Sequence, residues 1–238
     1  HNDGMRKQVK VSIIIPTLNS GSTLKKCFQA LQNQKCPSYE VIIVDNYSKD
    51  STIQNAKEYR ANILFHKGHA SSARNIGLVN ALGKYVLFLD SDQLVSDTLI
   101  SECAEICERS NAAAVNIPEV FIGKGFWSSC SAAWKNIYSL ARRSYPEDEI
   151  VLGNIPRFFD KKYLLSRGLF NEKLVWGEDY EHYYRLKSSG MKEEWCTSRI
   201  YHIEPRNLSE ILLKNYRYGK SISNARRVKR NVNLWMIK

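Results

Sequence analysis

Four short apolar runs alternate with predicted helices in the first half of the chain. The runs cover residues 11–15, 41–44, 63–65 and 85–89 and show no polar alternation, as in strands buried on both faces of a sheet. Helices are predicted over 24–31, 51–59 and 71–82, with Ser22 or Thr23 capping the first and Gly83 ending the last. This order predicts an α/β fold whose mostly parallel central sheet is flanked by helices.

The second half of the chain is less regular. Helices are predicted over residues 96–110, 126–143, 160–167 and 179–189, the second of them amphipathic. A strand over 112–122 is interrupted by Pro118, and one closing strand is predicted over 193–203. From Asn207 onward, apolar residues at helical spacing lie among basic residues, which predicts a basic C-terminal helical extension.

The fourth apolar run ends in two carboxylates, Asp90 and Asp92, separated by Ser91. Open parallel sheets bind ligands just outside the carboxyl ends of their strands. Two acids in that position repel each other unless a cation lies between them, and Mg²⁺ or Mn²⁺ prefers oxygen ligands. The motif therefore predicts a metal that neutralises a substrate diphosphate. The alternative is an ordinary strand-end turn, where Asp and Ser are common.

Other polar residues are predicted to reach the same edge of the sheet. The first strand is followed by Pro16-Thr17-Leu18-Asn19 and the second ends at Asp45. The helix that begins near Ser71 and carries Arg74 points its N-terminus at this edge, where backbone N–H groups suit a phosphate. Far downstream, Glu178 and Asp179 precede a helix, and paired acids there also serve as an N-terminal cap.

Composition and charge narrow the class of protein. The chain of 238 residues is 43% hydrophobic and 25% charged, as in ordinary globular proteins, and it contains neither a membrane-spanning run nor a signal peptide. Residues 1–4 resemble a cloning remnant. The six cysteines show no disulfide or metal spacing, which favours reduced, structural thiols in a cytoplasmic protein.

The net charge of +11 is concentrated at the C-terminal end. Residues 199–238 hold ten lysines and arginines against two glutamates, which leaves +8 there and +3 for the remaining 198 residues. Such a tail suits an anionic partner, either a membrane surface or nucleic acid. A basic helix with a Trp-bearing apolar end suits a membrane interface, and a terminal helix packed on the domain is the alternative.

Five segments together resemble the family 2 glycosyltransferases, which are inverting, nucleotide-sugar-dependent enzymes of the GT-A fold. The segments are Val11–Asn19, Val41–Thr52, Ala73–Gly77, Asp90–Asp92 and Gly177–Asp179. The resemblance implies a GT-A catalytic domain over 5–205, with a nucleotide-binding half over 5–110, an acceptor-binding half over 111–205 and a basic extension over 206–238.

The same resemblance implies roles for individual residues. Asp179 is expected to act as general base, with Glu178 beside it in the catalytic site, and Asp92 and His202 are expected to bind Mn²⁺ or Mg²⁺. The nucleotide sugar is expected to contact a larger set: Pro16, Thr17, Asn19, Asp45, Ser71, Arg74, Asp90, Ser91, Asp92, Asn154 and Trp176.

The sequence departs from the common family pattern at Asp45-Asn46-Tyr47-Ser48, where many members read Asp-Asp-Gly-Ser. No Gln-x-x-Arg-Trp motif follows Asp179, which argues against a processive polysaccharide synthase. A nucleotidyltransferase is the first alternative, but it requires a Gly-rich loop with a basic residue after the first strand. A nucleic-acid-binding module built on the basic tail is the second, and it leaves the acidic strand ends unexplained.

The resemblance and the basic tail together suggest the partners. We expect a UDP- or GDP-linked sugar donor and an acceptor that is a lipid-linked glycan, a polyprenyl phosphate or another saccharide. The tail suggests an anionic membrane surface, at the cytoplasmic face, and no nucleic acid is expected. The sequence leaves open whether the native chain continues into membrane helices beyond its apolar end.

Overall fold

The structure is a computed structural model that describes residues 9–36, 38–142, 155–174, 177–205, 207–213, 215–216 and 219. Its strands are β1 (Val11–Thr17), β2 (Tyr39–Asp45), β3 (Asn62–Phe65), β4 (Tyr85–Phe88), β5 (Gln93–Val95), β6 (Ala114–Asn116), β7 (Glu119–Ile122), β8 (Phe158–Asp160), β9 (Glu193–Trp195) and β10 (Ile200–Ile203). Its helices are α1 (Gly21–Gln32), α2 (Thr52–Glu58), α3 (Ala70–Asn80), α4 (Leu99–Ser110), α5 (Phe126–Arg142), α6 (Lys161–Arg167) and α7 (Glu178–Ser188).

The central sheet has the strand order β3-β2-β1-β4-β8-β6-β9. The pairs β1–β2, β2–β3, β1–β4 and β6–β9 are parallel, whereas β8 runs antiparallel to both β4 and β6. A smaller sheet of order β5-β10-β7 lies beside it. The prediction of an α/β fold with a mostly parallel sheet is therefore confirmed.

Helices cover both faces of this sheet, as the uninterrupted apolar runs predict. Along β1, Ile13 and Ile15 point to one face and pack with Leu24 and Leu31 of α1, while Ile14 points to the other and packs with Leu78 of α3. All of these side chains are fully buried. The period of two along the strand divides the core into two layers and fixes the register of β1 between β2 and β4.

Two predicted strands each divide between the two sheets. The segment predicted over 112–122 forms β6 in the central sheet and β7 in the small sheet, because Pro118 has no N–H to continue the ladder. The closing strand predicted over 193–203 likewise forms two strands, β9 and β10. Strand β9 pairs in parallel with β6, and β10 pairs in parallel with β7. The prediction of one continuous closing strand was wrong.

The predicted helix caps were also partly wrong. The N-cap of α1 is Ser20, one turn before its first buried leucine, instead of Ser22 or Thr23. The C-cap of α3 is Ala81, in an extended conformation, so Gly83 does not end that helix. Gly83 instead lies against β1, where a Cβ atom would come within 2.6 Å of the Ser12 backbone nitrogen. The strands β5 and β8, of three residues each, were not predicted.

The predictions for the cysteines and for the basic C-terminal extension can be compared with the structure only in part. All six cysteines are free thiols, and all but Cys130 are buried. Residues 208–213 begin a helix as predicted, but most of the basic extension over 206–238 lies outside the described residues. Within the described ranges, no helix has the length and apolar character needed to cross a bilayer.

Candidate active site

The ends of β1 and β2 are joined through the buried carboxylate of Asp45. Thr17 donates its hydroxyl to Asp45 Oδ1 at 2.7 Å, and Ser48 donates its backbone N–H to Oδ2 at 2.7 Å and its hydroxyl to Oδ1 at 2.6 Å. Asn19 closes the loop, since its side-chain oxygen accepts the Lys49 N–H at 2.9 Å. Asp45 therefore shapes the loop after β2, where short polar groups within one turn favour tight hydrogen bonding.

Tyr47, at the position where the common family pattern has glycine, adopts a left-handed backbone conformation with φ of 54°. Its ring stacks on Phe65 at a centroid distance of 5.7 Å, and both rings are more than half exposed. A left-handed conformation costs about 1–2 kcal/mol for a residue with a side chain. The loop thus holds an exposed aromatic pair beside the ends of β2 and β3 in spite of that cost.

Arg74 of α3 connects the end of the fourth strand to the first turn of α7. Its Nη2 donates to Asp90 Oδ1 at 3.3 Å, and its Nη1 donates to Glu178 Oε1 at 2.7 Å. Asp90 and Glu178, which are far apart in the chain, thereby share one guanidinium. This contact brings the Asp90–Asp92 motif and the Glu178–Asp179 pair to the same side of the sheet.

A second arginine, Arg157, lies on the other side of Asp90, and the sequence analysis did not identify it. Its Nη1 donates to Asp90 Oδ2 at 3.3 Å, and its Nε donates to Glu119 Oε1. Glu119 Oε2 lies 3.0 Å from His202 Nε2, which also lies 2.8 Å from the side-chain nitrogen of Gln93. Arg157 and Glu119 enter the site because β7 and β8 lie close to the end of β4.

The charges of this network determine the protonation of its acids. Burial acts to raise the pKa of Asp90, but Arg157, Arg74 and His202 outweigh it and hold the pKa well below its ordinary value. Burial is likewise outweighed at Glu119, where Arg157 and His202 lower the pKa to about 2. Both carboxylates are therefore ionised at neutral pH, and they balance the two guanidinium groups.

Asp179 lies in a cavity of about 120 Å³, together with Arg74, Arg157 and His182. Its carboxylate accepts the Tyr180 N–H at 2.9 Å. Burial raises the pKa of Asp179 above its ordinary value, although Arg74 and Arg157 act in the opposite direction. Burial and the charge of Asp179 also raise the pKa of Glu178. A carboxylate made more basic within a cavity can accept a proton from a bound hydroxyl.

His182 also faces this cavity and was missed by the sequence analysis. It lies three residues after Asp179, on the same face of α7, and helical spacing alone could have indicated it. Its Nε2 lies 3.2 Å from the Gly168 carbonyl, and its ring packs against Phe170. Burial and Arg185 lower the pKa of His182 to about 4, so its imidazole is neutral at neutral pH.

Asp92 and His202 come together as neighbours of one strand pair. His202 of β10 pairs with Gln93 of β5, directly after Asp92, and the Ile203 N–H donates to the Asp92 carbonyl. Within the described residues, no three His, Cys, Asp or Glu side chains form a group suited to a metal ion. The metal site assigned to Asp92 and His202 therefore stays a prediction.

The remaining predicted residues lie around this edge or outside the described residues. Pro16 and Ser91 are half-buried at the ends of β1 and β4, and Asn19 is exposed. Ser71 is buried in the first turn of α3, where its hydroxyl points to the Leu174 carbonyl at 3.5 Å. Asn154 and Trp176 lie outside the described residues. The ligand contacts assigned to all these residues stay predictions.

Known glycosyltransferases resemble this chain in sequence. The sequence model of glycosyl transferase family 2 matches residues 12–172. The poly(ribitol-phosphate) beta-N-acetylglucosaminyltransferase TarP of Staphylococcus aureus is 34% identical over 124 residues, which are 48% of this chain and 36% of TarP. The uncharacterised glycosyltransferase YibD of Escherichia coli is 38% identical over 101 residues, or 40% of this chain and 29% of YibD.

Solved structures show the same fold. The crystal structure of residues 1–349 of S. aureus TarS with UDP-GlcNAc superposes with a TM-score of 0.66 at 21% identity, covering 84% of this chain and 60% of that one. At this identity the likeness establishes the GT-A fold alone. The chain spans about a third of the length of the two curated relatives, TarP and YibD.

Proposed function

The chain belongs to glycosyl transferase family 2, and we propose that it transfers a sugar, with inversion, from a nucleotide-diphosphate sugar to an acceptor hydroxyl. One observation carries the proposal: Arg74 contacts Asp90 and Glu178 and lines one cavity with Asp179, so the Asp90 strand end and the base candidate share one site. The structure of TarS with UDP-GlcNAc supports a UDP-linked donor as the first to test.

Asp179 is the general base in this proposal. Glu178 is already engaged by Arg74, whereas Asp179 lines the cavity with a raised pKa. In an inverting transfer the base accepts the acceptor proton while the acceptor oxygen attacks the anomeric carbon, and it contributes about 10²–10⁴-fold. An acceptor phosphate would arrive ionised, and Asp179 would then orient it without taking a proton.

The leaving diphosphate requires positive charge that the two arginines do not provide alone. Arg74 and Arg157 pair with Asp90, Glu119 and Glu178, so three carboxylates already face two guanidiniums. A diphosphate adds further negative charge to that site. In this proposal Asp92 and His202 would hold a Mn²⁺ or Mg²⁺ ion, which when bound would stabilise charge on the diphosphate.

The aromatic pair Tyr47 and Phe65 is the proposed platform for the nucleotide base. Both rings are exposed beside the loop that Asp45 holds, next to the ends of β1 and β2. Stacking of a base on an aromatic ring tolerates different bases and contributes about 1–3 kcal/mol. Tyr47, instead of glycine, would therefore strengthen nucleotide binding without fixing which base is bound.

The acceptor is proposed to be a lipid-linked glycan, a polyprenyl phosphate or another saccharide. The basic residues between 199 and 238 support an anionic membrane surface as a partner, at the cytoplasmic face. TarP, by its name, modifies poly(ribitol-phosphate), an anionic polymer. An acceptor that carries phosphate is consistent with the excess of positive charge in this chain.

The substitution Asp179→Asn tests the base. We expect turnover with a hydroxyl acceptor to fall about 10²–10⁴-fold while UDP-sugar affinity, measured by calorimetry, changes little. Glu181→Gln is the matched control, because Glu181 lies on the same helix but pairs with Arg185. A thermal-shift screen with UDP-, GDP- and dTDP-sugars plus Mn²⁺ identifies the donor first. Full turnover by Asp179→Asn would remove Asp179 from the role.

A further inference from the structure

Helix α5 has its apolar and polar sides reversed relative to an ordinary surface helix. Ser128 and Ala132 face inward and are buried. The large apolar side chains are instead exposed, over 51–72% of their surface: Phe126, Trp127, Trp134, Ile137 and Leu140. A surface helix normally buries its apolar stripe against the core. A contiguous apolar surface of this kind marks a contact with another molecule or with lipid.

Polar contacts on the inner side fix this orientation. Lys135 Nζ donates to Glu204 Oε1 at 2.7 Å and Ser131 donates to Glu204 Oε2 at 2.7 Å. Asn136 exchanges two hydrogen bonds with the backbone of Phe121, at 2.8 and 2.9 Å. The Glu204 side chain is only 2% exposed. Rotating the helix to bury its tryptophans would take both Lys135 and Ser131 away from that buried carboxylate, which is costly.

A second exposed apolar segment begins beside the first. The Glu204 N–H donates to the Ile122 carbonyl, so the chain leaves the domain next to α5. The following residues expose Leu208, Leu212, Leu213 and Tyr216. The apolar surface therefore extends from α5 into the segment that leads to the basic tail.

The charges around this surface identify its partner. Residues 124–143 contain no acidic residue, and besides the inward-facing Lys135 they contain Lys124, Arg142 and Arg143; residues 206–238 add nine basic residues and one glutamate. A Trp-bearing apolar face bordered by cations is the composition of helices that lie in the interface of anionic membranes. We propose that the outward side of α5 is a docking surface for an anionic lipid bilayer.

Docking through α5 would bring the active-site cavity to the lipid surface. Helix α5 packs on β7, whose first residue, Glu119, lines the cavity that contains Asp179. The inference rests on the proposed function only in this last respect, since a cavity at the lipid surface suits a lipid-linked acceptor. Binding itself requires neither donor nor turnover, so it can succeed or fail independently of the proposed chemistry.

Vesicle flotation with the full chain tests the surface. The vesicles contain equal parts of phosphatidylcholine and phosphatidylglycerol, with pure phosphatidylcholine for comparison. We expect the double variant Trp134→Ser/Ile137→Ser to bind anionic vesicles about tenfold or more weakly than the unchanged chain. The matched control is Val79→Ser/Leu82→Ser, two equally exposed apolar residues in and just after α3, and it should bind normally.

Salt separates the contribution of α5 from that of the tail. At about 1 M salt the Debye length falls to about 3 Å, which weakens binding by the basic tail and spares apolar insertion. Some binding should persist there and be lost in the α5 variant. Binding that salt abolishes and the variant leaves unchanged would assign the membrane contact to the tail and overturn the proposal.

Two further results would also overturn it. One is an unchanged chain that binds neither kind of vesicle. The other is concentration-dependent dimerisation in sedimentation that the α5 variant abolishes while lipid binding stays intact, since the surface would then join two copies. Thermal unfolding confirms that the variant folds, and quenching of Trp134 fluorescence by brominated lipid, compared with Trp134→Phe, reports insertion directly.

Discussion

Replacing Arg157 with methionine tests whether one partly buried cation holds the acidic side of the site together. Methionine keeps much of the side-chain volume but leaves Glu119 and Asp90 without their shared guanidinium. Breaking a buried ion pair by removing one partner costs about 3–5 kcal/mol. The Asp90 side chain is 36% exposed, so solvent screens its share, and we expect a loss of about 2–4 kcal/mol.

The assay is thermal and denaturant unfolding of the variant beside the unchanged chain. For a domain of this size, each kcal/mol lowers the Tm by about 2–4 °C, so the expected fall is about 5–15 °C. Arg109→Met is the matched control, because Arg109 is exposed in the last turn of α4. An exposed substitution should change stability by no more than about 0.5 kcal/mol.

The pH dependence gives the sharper check. In the folded chain the pKa of Glu119 is about 2, below its ordinary 4.5, so its stabilising contribution is present above about pH 4.5. That contribution is lost as the pH falls from about 4.5 to about 2. The difference in stability between the unchanged chain and Arg157→Met should therefore shrink over this range. An equal difference at about pH 3 and pH 7, or a fully stable variant, would refute the reasoning.

Three further predictions concern the site itself. Excess EDTA should stop turnover and Mn²⁺ restore it, and Asp92→Asn should raise the Mn²⁺ concentration required; turnover indifferent to EDTA would contradict the metal. Tyr47→Gly should relieve the backbone at φ of 54° and raise the Kd for UDP about fivefold or more in calorimetry, and an unchanged Kd would remove the stacking platform. The acid limb of the profile of kcat against pH should have an apparent pKa above 3.8, because burial raises the pKa of Asp179. This limb should be absent from the residual activity of Asp179→Asn.

The parts of the site that lie in sequence order could be predicted. The apolar runs predicted β1 to β4, and parallel pairing then requires their carboxyl ends, with Thr17, Asp45 and Asp90, to share one edge. Paired acids before a helix indicated Glu178 and Asp179. Family resemblance supplied the roles, because local spacing alone leaves a turn or a helix cap as an equal explanation.

Other features depend on long-range contacts that no local pattern encodes. Glu119 and Arg157 lie 38 residues apart, and they meet because β8 inserts antiparallel between β4 and β6. Neither a strand of three residues nor its direction can be inferred from periodicity. The interruption at Pro118 was visible, but its consequence, the passage of the chain from one sheet to the other, was not.

Helix α5 shows most clearly which features follow from the sequence and which depend on the tertiary structure. The spacing of its residues determined that the helix is amphipathic, since period and composition are local properties of the chain. Which side faces the domain was decided by the Glu204 carboxylate, 69 positions away from Lys135, and by the backbone of Phe121. Sequence periodicity determines that the helix has an apolar face. Only the folded surroundings determine whether that face points toward the domain or away from it, because a buried charge is costly without a partner.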